Sequence, residues 1–154
     1  MTGSRRAAKG RRGSRGDVSE DGLQWVAVVV VIVKDGRLLA LRRAMTKDAA
    51  PGLWEAVSGR VRAGEEPRDA AAREALEESG LAVEIEPRPV DAYALARAGV
   101  PMTVVVYAAR WAAGEARCSE EHDEARWVDL EGFRALGAPA RLVEAAGRAL
   151  AAVG

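Results

Sequence analysis

"GRVRAGEEPRDAAAREALEESGL", residues 59–81, decides how this chain is read. Pro67 suits the first turn of a helix, and Gly80 suits a left-handed cap at its end, so the spacing predicts a helix over 67–79. An α-helix advances about 100° per residue, which sets Glu77 about 60° to one side of Glu74 and Glu78 about 40° to the other. Three carboxylates then share one face, where like charges cost a few tenths of a kcal/mol per pair. Arg73 can relieve Glu77, and Asp69 can pair with Arg73, but positions 70 and 78 offer Glu74 no cation. Ala72 and Leu76 are expected to pack on the rest of the protein, with Ala75 and Ser79 beside them. A solvated acidic face is the ordinary outcome of such a run. The alternative is a cation site, because hard divalent ions take oxygen ligands and are held by a few carboxylates together with substrate phosphates.

The chain around this helix has 154 residues, almost half of them apolar, enough for one domain with a core. Twenty-three basic residues balance 23 acidic ones, so net charge does not point to a nucleic acid partner. The single cysteine, Cys118, rules out an internal disulfide and fits a reducing, cytoplasmic setting. The longest apolar run, Trp25 to Val33, is too short to span a bilayer. Arg5, Arg6, Lys9, Arg11, Arg12 and Arg15 stand among glycines and serines in residues 1–16, which hold no acid. Residues 1–22 therefore read as a disordered basic arm and 23–154 as the folded domain.

Outside the helix the pattern is mostly strand. Gln24–Val33 reads as a buried strand, Asp35-Gly36 as a hairpin turn and Leu38–Leu41 as the returning strand. Further strands are expected at 53–57, 82–85, 89–96, 102–111 and 125–128, a helical turn at 133–136 and a C-terminal helix over 141–153. Strands interleaved with two helices predict an α/β fold, a mixed sheet covered by helices.

The spacing within 59–81 resembles the Nudix box: Gly59, Glu65, Arg73, Glu74, Glu77, Glu78, Gly80 and Leu81 fall in register, and only Ala75 is smaller than the pattern prefers. "GLWEAVSG" before the box and "EHDEARWVDL" after it are also similar to this family. The resemblance implies an α/β/α sandwich with a mixed β-sheet and a catalytic loop-helix-loop. It implies metal-dependent hydrolysis of a nucleoside diphosphate linked to a group X. In that scheme Mg²⁺ or Mn²⁺ offsets the diphosphate charge and acidifies the attacking water. Glu77 and Glu78 would be ligands, Glu74 a further ligand or the base, and the Ser58 or Gly59 carbonyl one more contact. Glu65 and Arg73 would form a buttressing ion pair. A distal glutamate, Glu121 before Glu124 or Glu120, would reach the metals or the water.

Val57-Ser58-Gly59 replaces the commoner Pro-Gly-Gly and resembles dihydroneopterin triphosphate and nucleoside triphosphate members. The expected substrate is therefore of nucleoside triphosphate type, giving a monophosphate and pyrophosphate. A dinucleoside polyphosphate or nucleotide-sugar (ADP-ribose-like) hydrolase is the alternative enzyme, and a nucleotide-sensing or RNA-binding module the alternative without chemistry. Arg42 and Arg43 are candidates for substrate phosphate, Trp54, Tyr93, Tyr107 and Trp127 for base stacking, and His122 for a ligand or loop contact. A small nucleotide-type diphosphate is the expected partner, with no membrane, and a homodimer stays open.

Overall fold

The structure, a computed structural model, describes residues 22–154; all but the last residue of the basic arm lie outside that range. Eight strands form one mixed sheet: β1 (Trp25–Lys34), β2 (Arg37–Arg43), β3 (Trp54–Glu55), β4 (Val57–Arg60), β5 (Ala82–Ile85), β6 (Asp91–Arg97), β7 (Val100–Ala113) and β8 (His122–Val128). Three helices cover it: α1 (Pro67–Ser79), α2 (Leu130–Ala135) and α3 (Ala140–Val153).

β1 lies inside the sheet, parallel to β7 and antiparallel to β2 and β4. Its near-continuous valine run follows from that place, since a strand buried on both faces needs apolar residues at every position. Val28, Val30 and Ile32 face one core with Ala70, Ala71 and Ala75 of α1. Ala27, Val29, Val31 and Val33 face a second core with Phe133, Leu142, Val143 and Ala146 of α2 and α3. The result is the α/β/α sandwich expected from the sequence, with α1 alone on one side.

The β1–β2 turn uses Asp35 and Gly36, both at positive φ (51° and 73°), which keeps the strands in the twist of a two-residue hairpin. The strand expected at 53–57 is instead two. β3 pairs with β2, the chain steps across at Ala56, and β4 pairs with β1 as far as Arg60. Ser58 and Gly59, expected in a loop, thus sit opposite Val29 and Val28 on a rigid strand beside α1. Among the described residues no helix is long and apolar enough to cross a membrane.

Candidate active site

α1 starts at Pro67 and stops at Gly80, whose φ of 71° lets its N–H turn back to the Leu76 carbonyl at 2.9 Å. The buried stripe is Ala70, Ala71, Ala75, Glu78 and Ser79. This corrects the expected packing face: Leu76 is 60% exposed and Ala72 is exposed. Small alanines let the helix settle close to the sheet. Rotating it by about one residue, some 100°, trades Leu76 for Glu78 at the edge of the contact. The helix also needs Gly59, because a Cβ there would stand 2.1 Å from the Glu74 carboxyl carbon.

Arg73 is the hub of the loop and helix. Its Nε donates to Glu65 Oε2 and its Nη2 to Glu65 Oε1, both at 2.8 Å. Nη2 also reaches the Arg60 carbonyl at 3.1 Å, and Nη1 donates to Glu74 at 2.7 Å and to Glu77 at 3.3 Å. Glu74 therefore has a cation after all, from its immediate neighbour, while Asp69 is not in the network. The bidentate grip holds the Glu65 carboxyl down at about 2, with the Arg62 amide adding to it.

Glu78 differs. It is buried, and the contact favouring its charge is the Ser58 amide at 3.3 Å. Burial pushes its pKa up to about 9; the Ser58 amide opposes this, while Glu74, Glu121 and Glu55 add to it. Glu74 is also raised, first by burial, with Arg73 pulling the other way and Glu77 and Glu121 adding repulsion. Among the described residues no three such side chains close into a finished metal cage, and Arg73 bonds both Glu74 and Glu77. The donor set nonetheless fits a hard divalent cation. Glu78 has no cationic partner among the described residues, and a carboxyl kept protonated by burial and by neighbouring carboxylates ionises when an oxygen-seeking cation supplies positive charge.

Glu121 lies near enough to raise both Glu74 and Glu78, and its side chain is half exposed, with Lys47 at 3.9 Å. Glu124 is turned away, pairing with Arg42 and Arg126. Glu120 is exposed in the adjoining turn. The two arginines are not brought to the carboxylates as open phosphate contacts. Arg42 pairs with Asp123 at 2.7 Å and Glu124 at 3.2 Å, and Arg43 is buried between the Ala49 carbonyl (2.9 Å) and Glu55 (3.4 Å). Trp54 and Tyr107 are buried in the two cores, Tyr93 and Trp127 partly so. His122 is buried against Glu55.

Two residues escaped the sequence reading. Glu55 is buried in β3 among Arg43, Arg97 and His122; an acid inside "LWEAV" was the available signal. Arg117 lines a cleft of about 180 Å³ with Leu76, Glu77, Glu78, Gly80 and Cys118. Its guanidinium lies against Gly80, where a Cβ would come within 2.8 Å of Nε. Nothing local in the sequence marks it. A larger hollow of about 390 Å³, lined by Trp25, Arg60 and Arg62, holds no carboxylate.

The family profile described as NUDIX domain matches residues 22–152. The chain belongs to the Nudix hydrolase family. This Nudix domain is 34% identical over 107 residues to a MutT-like protein of Streptomyces ambofaciens, covering 69% of this chain and 64% of that protein. It is 36% identical over 115 residues to an octanoyltransferase of Myxococcus xanthus, covering 68% of this chain and 30% of that protein. The Nudix chain thus spans less than two thirds of the length of either relative. Among solved structures, a MutT NUDIX hydrolase from Burkholderia pseudomallei is 28% identical, with a TM-score of 0.66, covering 86% of this chain and 99% of that one.

Proposed function

We propose that the protein hydrolyses a nucleoside triphosphate-type substrate to a monophosphate and pyrophosphate, with Mg²⁺ or Mn²⁺ held by Glu77, Glu78, Glu74 and the Ser58 or Gly59 carbonyl. The observation that carries this reading is Glu78, buried beside Glu74 and Glu121 without a cationic partner among the described residues and opening on the cleft that Arg117 lines. A bound divalent cation offsets the charge of the diphosphate and makes water more acidic.

The chain's own groups do the rest. Arg73 clamps Glu65 and Arg60, so the loop and helix keep one geometry. The carboxylate of Glu74 or Glu121 takes the proton of the attacking water. The water oxygen bonds to phosphorus, the bridging P–O bond breaks, and the leaving pyrophosphate or nucleoside monophosphate carries off that electron pair. Arg117 has no ion-pair partner among the described residues and suits the anionic phosphates of such a substrate. The free thiol of Cys118 agrees with a cytoplasmic setting.

A panel of nucleoside triphosphates, dinucleoside polyphosphates and nucleotide sugars, assayed with each ion, tests this. Highest kcat/KM for a triphosphate, with pyrophosphate released, is the expected result. A preference for a nucleotide sugar overturns the triphosphate reading. Saturable binding without turnover under either ion overturns the enzyme.

A further inference from the structure

The buried cluster at Glu55 lies on the α1 side of the sheet, next to the carboxylate face. Glu55 pairs in register with Leu41, whose side chain belongs to the α1 core, and its charge reaches Glu78. His122 Nε2 meets Glu55 Oε1 at 2.9 Å, with both side chains almost wholly buried. A carboxylate only accepts, so the ring carries its proton on Nε2. Among the described residues His122 Nδ1, itself buried, has no hydrogen-bond partner. A residue that leaves a ring nitrogen unsatisfied costs stability, and a leucine would fill the same space without that cost.

The backbone shows what is gained. β2 and β8 run in register up to Arg42 opposite Glu124, then skip so that Arg43 faces His122. Asp123 is the unopposed residue of this bulge, and its carboxylate turns out to Arg42. Bulges re-aim the side chains next to them. Immediately before the bulge, the Glu121 carbonyl accepts from the Ala44 amide at 2.9 Å, and the His122 amide returns to the Ser119 carbonyl. The Glu121 side chain itself is half exposed, with only Lys47 at 3.9 Å to steer it. Its aim is therefore set by the backbone, and the buried side chain that pins that backbone is His122. Glu55, which receives it, is on the strand that leads directly into β4, where the Ser58 amide contacts Glu78. One hydrogen bond thus ties the loop carrying Glu121 to the strand that meets Glu78.

We propose that His122 is a positioning residue: its bond to Glu55 fixes the start of β8 so that Glu121 faces Glu74 and Glu78. The functional half of this inference rests on the hydrolase reading above; the structural half does not. Hydrogen exchange and kinetics on the full chain test the two halves separately. His122→Leu should speed exchange of the Ala44 and His122 amides at least tenfold while the α1 amides keep their protection. It should lower kcat roughly ten- to hundredfold, the scale expected when a reacting group is misplaced, and change KM less than twofold. In a Glu121→Gln background, His122→Leu should lower kcat no further, because its effect runs through Glu121. Glu55→Gln, which exchanges a charge-assisted bond for a neutral one, should move exchange in the same direction by less and stands in if the leucine variant does not fold. Unchanged exchange at Ala44 and His122 overturns the anchor even in an inactive enzyme. Faster exchange with undiminished kcat loss in the Glu121→Gln background overturns the link to Glu121. Absence of turnover by the parent enzyme is a failure of the hydrolase reading and leaves the exchange measurement decisive for the anchor.

Discussion

Glu78 and Asp91 are both carboxylates buried at the edge of a helix, on opposite faces of the same sheet, and they are treated in opposite ways. Asp91, at the start of β6, accepts from Arg141 Nη2 at 2.8 Å and from its neighbour Ala92, and Arg148 stands at 3.1 Å. The Arg141 bond holds its pKa below the ordinary value. Arg141 also lies over the Tyr93 ring at 4.7 Å, so the pair fastens α3 to the β6 edge. Glu78 has one amide and three repelling carboxylates, and its pKa rises to about 9. Where a buried acid serves only the fold, the chain supplies its cation. At Glu78 no such cation stands among the described residues, and burial with neighbouring carboxylates raises the carboxyl instead.

Four measurements bear on that contrast. The largest effect belongs to Glu78→Gln, which keeps the size and removes the charge. Turnover should fall at least about a hundredfold, on the scale of losing a group that acts in the transition state, while the melting temperature holds or rises. Normal kcat at saturating Mg²⁺ would make Glu78 another structural acid. Next is metal linkage. At a hundredfold excess over Kd, Mg²⁺ should add about 2.7 kcal/mol to the parent. The Glu77→Gln/Glu78→Gln double variant should gain almost nothing, and an equal gain in thermal melts would put the cation elsewhere.

Gly59→Ala comes third. The new methyl would stand 2.1 Å from the Glu74 carboxyl carbon, so Glu74 must swing out. We expect kcat to drop roughly tenfold or more, with circular dichroism unchanged. A variant as active as the parent would show that Glu74 does not act from this position. The smallest effect is Asp91→Asn, costing about 1 kcal/mol because both arginines are partly exposed and screened, with kcat untouched.

Its pH dependence sharpens the point. A folded pKa below the unfolded one contributes stability that is full above about pH 4, the unfolded carboxylate value. That stability is lost as pH falls through the folded value. The melting-temperature gap between parent and Asp91→Asn should therefore be constant from pH 7 to 5 and close below about pH 4. A gap that widens in acid would mean that Asp91 is not the stabilised anion described here.

Much of the fold was legible because its signals are local. The valine run of β1, the Asp35-Gly36 turn, and the Pro67 and Gly80 helix ends each depend on a few neighbouring residues. The Glu65–Arg73 pair came from the resemblance to the Nudix box, and the two side chains meet in the structure. Several of the misses involve partners distant in sequence. Arg42 looked free because Asp123 is 81 residues away, and Arg43 because Glu55 lies on another strand. Glu55 and His122 gave no local sign of meeting, and neither did Gly80 and Arg117.

The sequence by itself determined that three glutamates share one helical face, since residue spacing and helix pitch decide that alone. It did not determine how that helix is rolled on the sheet. Rotation about the helix axis is a matter of which side chains fit the facing surface, and that surface is assembled from β1, β4, β5 and β7. With alanines as the contact and Gly59 open beneath Glu74, close packing turned Glu78 inward and Leu76 out. Only that tertiary choice separates three equivalent acids into one buried away from Arg73 and two held by it, Glu74 part-buried and Glu77 at the surface.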